Sequence, residues 1–409
     1  MLSSQPNCIT SLNCCCLWVT FAHSCRRTSY ATFQFSSIVL LYLHIPFCKQ
    51  ACTYCDFHFT TSVQYKADLV NALIHELHLR KQELTGPLRS IYFGGGTPSL
   101  LEASELEKLM EAIHSLFGIQ DNAEITLEAN PDDLTKAKLL QLKASGINRL
   151  SIGVQSFFEE DLRFMNRAHS PTEALRCIED AAQVGFDRLS IDLIYGTPGL
   201  TDDRWIQNLE KAASLPVNHL SCYALTVEPN TPLARGILKG NYLNPEEEQA
   251  AGQFEILQQK APELGFLHYE ISNLSRGEAT AIHNSAYWEG RSYLGIGPSA
   301  HSFDGKTRRV NIPNNTRYIR DLQTGDCAHE LEVIDQKTRY NELVLTGLRT
   351  LRGIDKSALI RLGKEAVQQF SKARHQLPNP AVILETETTF RLDPAHWLLA
   401  DGIAGRLFQ

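Results

Sequence analysis

From Val39 onward, short runs of β-branched and apolar residues alternate with segments whose apolar positions recur at helical spacing. Period-two and short apolar runs predict strands over Val39–Ile45, Ser90–Phe93, Glu124–Glu128, Arg149–Val154, Arg188–Leu193 and His219–Leu225. The 3.6-residue pattern predicts helices between them, over Tyr65–Glu83, Ala103–Leu116, Leu134–Lys143, Thr172–Val184 and Asp203–Ala213. Strands separated by helices in this way argue for repeated βα units, hence an α/β fold on a parallel sheet. In a curved parallel sheet the strand ends gather around one mouth, where loops carry the chemistry.

After about Pro229 the pattern changes. A helix is expected over Pro245–Leu264, a strand over His268–Leu274, and a Gly-rich turn region over Tyr293–Ser302. Helices follow near Asp335–Leu351 and Ser357–Arg361, then a strand over Phe390–Leu392 and a turn and final helix over Ala395–Leu407. The reading divides the chain into an unstructured extension over 1–37, a βα core over 38–240, and a smaller mixed or helical domain over 241–409. No internal repeat breaks this order.

Composition adds limits. A net charge of −7 argues against a nucleic-acid partner, since phosphate binding needs a basic surface. No apolar run approaches the ~18 residues of a membrane span. The first 38 residues carry Cys8, Cys14, Cys15, Cys16 and Cys25, with Arg26 and Arg27 and no acid; the first carboxylate of the chain is Asp56. Acid-poor, Ser-rich sequence with arginines reads either as an organelle transit peptide or as an extension with no fold of its own, and the second reading is preferred. The corresponding location is the cytoplasm, with the mitochondrion as the alternative.

The densest chemistry lies just past the first strand, in Tyr42-Leu-His-Ile-Pro-Phe-Cys48-Lys-Gln-Ala-Cys52-Thr-Tyr-Cys55-Asp-Phe. Three thiolates spaced C-x3-C-x2-C can hold three irons of a cubane cluster, leaving the fourth open to a small chelating molecule. Zinc is the plain alternative, with His58 or His44 completing a tetrahedron, although no second C-x2-C pair exists. After the second strand comes Tyr92-Phe-Gly94-Gly95-Gly96-Thr97-Pro98-Ser99, whose glycines allow close backbone approach to a ligand or simply a tight turn. Glu128, in Leu127-Glu128-Ala-Asn130-Pro131, ends the third strand. A carboxylate there can accept hydrogen bonds from a ribose, while Asn130 or Asp132 could serve as a helix cap instead.

Together these motifs resemble the radical S-adenosylmethionine (radical SAM) enzymes. The string LYLHIPFCxxxCxYCDF is similar to the branch that holds oxygen-independent coproporphyrinogen III oxidase and the heme chaperone HemW. The resemblance implies a partial (β/α)6 barrel, with a [4Fe-4S] cluster on Cys48, Cys52 and Cys55 and SAM on the unique iron. It implies SAM contacts at Tyr42, Gly95, Gly96, Thr97 and Glu128. It further implies cavity positions at Gln155, Arg167 and Asp192, which surround a second SAM in the oxidase branch. An electron from a flavodoxin- or ferredoxin-type reductant would pass through the cluster to SAM, giving methionine and a 5′-deoxyadenosyl radical.

Two readings share these residues: oxidative decarboxylation in porphyrin biosynthesis, or binding of heme and its transfer to an acceptor protein. The oxidase branch carries a further cysteine two residues past the third; here that position is Phe57. The segment His283-Asn284-Ser-Ala-Tyr287-Trp288 matches the H-N-x-x-Y-W element of the HemW branch, and Tyr269–Asn273 and Gly295–His301 also look like it. Imidazole is a common heme ligand and aromatic rings pack on the macrocycle, so His283 and His301 are candidate iron ligands. The plainer reading puts Tyr287 and Trp288 in the core and His283 at a turn. The heme chaperone is the expectation.

Overall fold

The computed structural model describes residues 39–325 and 328–409. The expected extension over 1–37 lies outside them. Six strands lie side by side in chain order: β1 (Val39–Ile45), β2 (Leu88–Gly95), β3 (Ile119–Ala129), β4 (Arg149–Gln155), β5 (Arg188–Tyr195) and β6 (His219–Ala224). Every neighbouring pair among them is parallel. Helices Lys66–Arg80, Ala103–Leu116, Lys136–Ala144, Pro171–Val184 and Asp202–Ser214 connect them. Their ends are written in the sequence. Ser170 and Glu173 form a capping box ahead of Pro171, and Gly185 closes the same helix with left-handed backbone.

The strands alternate strictly. Leu41, Leu43, Ile91, Phe93, Ile125, Leu127, Leu150, Ile152, Leu189, Ile191 and Leu220 enter one apolar cluster with helix residues such as Leu73, Leu106, Ile178 and Trp205. Intervening positions point to the opposite face and are largely polar or aromatic: Tyr42 and His44, Ser90 and Tyr92, Glu124, Thr126 and Glu128, Arg149 and Ser151, Ser190 and Asp192. One face of the sheet therefore makes the core, and the other makes a polar lining.

The region after residue 240 enlarges this sheet at both edges. Strands β7 (Leu267–Glu270) and β8 (Asn273–Ser275) form a hairpin on β6, while β9 (Tyr293–Ile296), β10 (His301–Phe303), β11 (Thr307–Asn311) and β12 (His329–Val333) extend the sheet beyond β1. The expected strand over His268–Leu274 is thus two strands with a turn. The expected turn region over Tyr293–Ser302 holds a turn at 297–300 but is corrected to strand structure on either side of it, with β9 running parallel to β1. Its glycines answer to close packing: a Cβ on Gly295 would meet the His301 carbonyl oxygen at 1.9 Å. Strands β13 (Ile354–Asp355), β14 (Ile383–Glu385) and β15 (Thr389–Leu392) form a second, small sheet among helices Gln336–Leu348, Lys364–His375 and Ala400–Leu407. Among the described residues no helix is long and apolar enough to cross a membrane.

A buried ion pair ties the added strands β9, β10 and β11 to the core. Glu76 and Arg80, on the helix following β1, face each other at 2.8 Å. Glu76 also accepts from Asn311 Nδ2 at 2.7 Å, the Gly297 N–H at 2.8 Å and the Tyr318 hydroxyl at 2.5 Å. Arg80 donates to the Gly295 carbonyl and to Ser302 Oγ. One carboxylate and one guanidinium thus satisfy groups from β9, β10, β11 and the helix Asn315–Gln323.

Candidate cofactor site

The three-cysteine loop is held at both ends and in its middle. Cys48 donates its N–H to the Thr60 carbonyl, and Thr60 returns one to Pro46. Asn166, in left-handed backbone, reaches Ala51 O with its amide at 2.7 Å, while the Thr53 N–H binds Met165 O. The thiols of Cys48, Cys52 and Cys55 are half-buried and form no disulfide. Phe57 is 44% exposed beside them.

Among the described residues no three His, Cys, Asp or Glu side chains gather to hold one metal ion, as zinc requires. The imidazoles available to complete such a site are engaged elsewhere. His44 Nδ1 meets the Tyr42 hydroxyl at 3.1 Å and Nε2 the His58 carbonyl at 2.8 Å, while His58 Nε2 meets Asn315 Oδ1 at 2.7 Å. A cubane spreads its irons over separate corners, so its thiolates stand apart. The surroundings suit sulfur that carries negative charge: Thr97 Oγ1 donates to Cys48 Sγ at 3.4 Å and Arg167 Nη1 to Cys52 Sγ at 3.3 Å. Burial, reinforced by the neighbouring thiols, pushes the Cys48 thiol up to about 11 and Cys55 up to about 12. Cationic iron is the partner that would make them thiolates.

The glycines of the second motif run through the end of β2 into the turn. Gly95 has φ +113°, and a Cβ there would meet the His44 ring at 2.7 Å; on Gly96 it would meet Phe47 O at 2.8 Å. The Gly96 N–H binds Ile45 O, and the Gly95 N–H binds Glu128 Oε2 at 3.1 Å. Glu128 Oε1 accepts from the Tyr92 hydroxyl at 2.7 Å. Burial, reinforced by Asp192, raises Glu128 to about 7. Tyr42 stacks on Tyr92 with ring centroids 6.1 Å apart.

Farther around the sheet, Arg167 Nη2 binds Asn130 Oδ1 at 2.6 Å and the Gly153 carbonyl at 2.7 Å. Gln155 takes φ 66° at a register shift where β4 ends, a strained backbone of the kind held at ligand sites. Asp192 accepts from Ser151 Oγ at 3.2 Å, and burial raises it to about 6. Tyr42, Gly95, Gly96, Thr97, Glu128, Gln155, Arg167 and Asp192 therefore share one polar mouth with the cysteines. Sequence reasoning passed over Tyr92, whose position at the head of the glycine motif, two residues before Gly94, was its signal, and gave Asn130 only a capping role.

The H-N-x-x-Y-W element forms the helix Ile282–Trp288, seated on β2 and β3. Glu124 accepts the N–H groups of Ile282 and His283. The buried His283 ring is bound at both nitrogens, to Ser90 Oγ at 3.0 Å and the Tyr287 hydroxyl at 2.9 Å, and lies against Tyr92 with centroids 4.9 Å apart. Asn284 is buried; Tyr287 and Trp288 are half-buried, Trp288 against the core and Tyr287 edge-on to His283 and Tyr293. His301, on β10, is half-buried and close enough to His44 to oppose its protonation.

The sheet and its three-cysteine mouth are those of a radical SAM protein, and residues 42–212 match the Radical SAM superfamily. The chain folds like coproporphyrinogen III oxidase (HemN) from Escherichia coli, a radical SAM enzyme, with a TM-score of 0.79 at 24% identity over 91% of this chain and 90% of that one. It is 34% identical over 370 residues to the heme chaperone HemW of Bacillus subtilis, spanning 89% of this chain and 97% of the relative. A Danio rerio protein described as radical S-adenosyl methionine domain-containing protein 1, mitochondrial, is 34% identical over 83% of this chain and 79% of its own. The chain belongs to the HemW family.

Proposed function

We propose that the protein is a heme chaperone that binds heme and passes it to an acceptor protein, with a [4Fe-4S] cluster and SAM as its cofactors. The observation that carries this reading is the match to the Bacillus subtilis heme chaperone HemW over 97% of that relative. Phe57, where the oxidase branch places a further cysteine, supports the chaperone over the decarboxylase.

In this reading Cys48, Cys52 and Cys55 hold the cluster. The bound cluster supplies a low-potential electron and an open iron for SAM. With the Gly95 and Gly96 N–H groups engaged, the loop offers carbonyl oxygens, which suit the donor-only ammonium of SAM. Glu128, already accepting from Tyr92 and Gly95, has remaining lone pairs for the ribose hydroxyls, and Tyr42 lies beside it. Gln155, Arg167 and Asp192 line the rest of the cavity. His283 and His301 are the candidate heme ligands, with Asn284, Tyr287 and Trp288 around the first. His283 can take iron only by leaving Ser90 or Tyr287. The division at residue 240 belongs to this reading too: the βα core holds cluster and SAM, and the part beyond carries the heme contacts. The reductant is of the flavodoxin or ferredoxin type and the location cytoplasmic; a mitochondrial location is the alternative, supported by the name of the fish relative.

The test is hemin titration of the purified protein, followed by an anaerobic assay for coproporphyrinogen consumption. Stoichiometric heme binding without decarboxylation supports the chaperone. Steady formation of protoporphyrinogen overturns it.

A further inference from the structure

Between Cys48 and Cys52 runs an unbroken arc of hydrogen bonds centred on Asn130. Its amide nitrogen donates to Thr97 Oγ1 at 3.2 Å, and Thr97 Oγ1 donates to Cys48 Sγ at 3.4 Å. Its amide oxygen accepts from Arg167 Nη2 at 2.6 Å, and Arg167 Nη1 reaches Cys52 Sγ at 3.3 Å. Thr97 is 3% exposed, so water does not supply its partners.

The arc has a direction. A threonine hydroxyl carries one proton. Because Asn130 donates to Thr97, that proton cannot point back to Asn130 and is left for the sulfur. On the other side, Asn130 Oδ1 and the Gly153 carbonyl hold the same guanidinium nitrogen, which turns the second nitrogen toward Cys52. One asparagine thus sets the orientation of donors to two of the three sulfurs. Its amide must present nitrogen to Thr97 and oxygen to Arg167, because arginine has no acceptor to offer.

We propose that Asn130 is a positioning residue that tunes the reduction potential of the cluster by aiming Thr97 and Arg167 at the Cys48 and Cys52 sulfurs. Donors to the sulfurs favour the reduced, more negative cluster, so the arc raises the potential and makes the first electron easier to accept. The inference rests on Cys48, Cys52 and Cys55 being the cluster ligands, and the experiment separates the two claims. Anaerobic reconstitution of the full chain, read by iron content and by the EPR signal of the reduced cluster, tests the ligands. The midpoint potential, measured by EPR-monitored titration without SAM, tests the arc.

Asn130→Asp is nearly isosteric and still accepts from Arg167, but it cannot donate to Thr97, whose proton then turns to the new carboxylate. Thr97→Val removes the same bond to Cys48. Each change lowers the one-electron reduction equilibrium roughly tenfold, ~59 mV, whereas Thr97→Ser keeps the wild-type potential. The added charge of Asn130→Asp would act in any background. Acting through Thr97 means that its shift is distinctly smaller in a Thr97→Val chain. An equal shift in both backgrounds, or a Thr97→Val potential that matches wild type, overturns the proposal. A wild-type chain that binds no four-iron cluster removes the ligand assignment instead.

Discussion

His283 Nδ1 and Ser90 Oγ lie 3.0 Å apart in the buried interior, joining the helix Ile282–Trp288 to the middle of β2. With Tyr287 on the other nitrogen, the imidazole has no lone pair to give to iron until one bond opens. If His283 ligates heme, part of the binding energy goes into breaking that bond. A net hydrogen bond is worth about 1 kcal/mol, close to a fivefold population change. Ser90→Ala is therefore expected to tighten hemin binding severalfold, and to have no such effect in a His283→Ala chain. Hemin titration of the four proteins measures this. An affinity unchanged in Ser90→Ala, and also in Tyr287→Phe, which frees the other ring nitrogen, assigns the iron to another residue, with His301 next.

The ion pair of Glu76 and Arg80 makes a second prediction. Glu76 is fully buried and accepts from four partners, whereas Glu83, the other partner of Arg80, is 46% exposed. Glu83 still pairs with Arg80 when Glu76 is neutralised, but four buried donors then lose a charged acceptor, and hydrogen bonds to charged groups are worth about 1.5–3 kcal/mol. An exposed partner contributes at most about 1 kcal/mol. Glu76→Gln should therefore lower stability to denaturant far more than Glu83→Gln. It should also expose the amides of β9 and β10 to hydrogen exchange first. Equal effects would show that the pair does not fasten these strands.

The six parallel strands were legible because each carries its period inside a short window. Leu41 and Leu43 against Tyr42 and His44 is a pattern visible without tertiary context. The edges were not legible, for a physical reason. Tyr293–Ile296 contains Gly295, and glycine weakens any strand pattern; the strand forms because β1 and the His301 backbone need the space a side chain would fill. In β12 every residue is exposed, so no apolar alternation marks it. The cysteines and glycines of the mouth announced themselves by spacing. The linking groups did not: Asn130 and Tyr92 matter through partners more than thirty residues away, which no local window reveals.

Acid should destabilise the apo protein. An ordinary histidine takes up its proton near ~6.5. Burial holds His268 and His283 down to about 3, and His44 and His169 down to about 4. Below ~6.5 the unfolded chain binds protons that the folded chain refuses. The stability these rings contribute is whole above that pH and is lost as pH falls toward 4. Glu128 and Asp192, raised by burial to about 7 and about 6, act oppositely: their share is whole below ~4 and is lost as pH rises through those values. Four rings against two carboxyls leave a net loss on acidification. The thermal midpoint of the cluster-free protein should fall between pH 7 and pH 5, and a flat or rising profile would contradict the burial of these rings.

Glu128 gives the SAM site its own pH signature. Only the ionised carboxylate can accept from Tyr92, Gly95 and two ribose hydroxyls together, and burial has raised its proton affinity to about 7. Ribose hydroxyls favour the charged form, so SAM binding must release a proton and strengthen as pH rises from 6 to 8. Glu128→Gln keeps the shape but loses the charge, and hydrogen bonds to charged groups are worth about 1.5–3 kcal/mol. The variant should bind SAM about ten- to a hundredfold more weakly at pH 8, with little pH dependence. Equilibrium dialysis of SAM on reconstituted protein at several pH values measures both. A Glu128→Gln chain that keeps wild-type affinity with the same pH slope would remove Glu128 from the SAM site and leave it a structural partner of Tyr92.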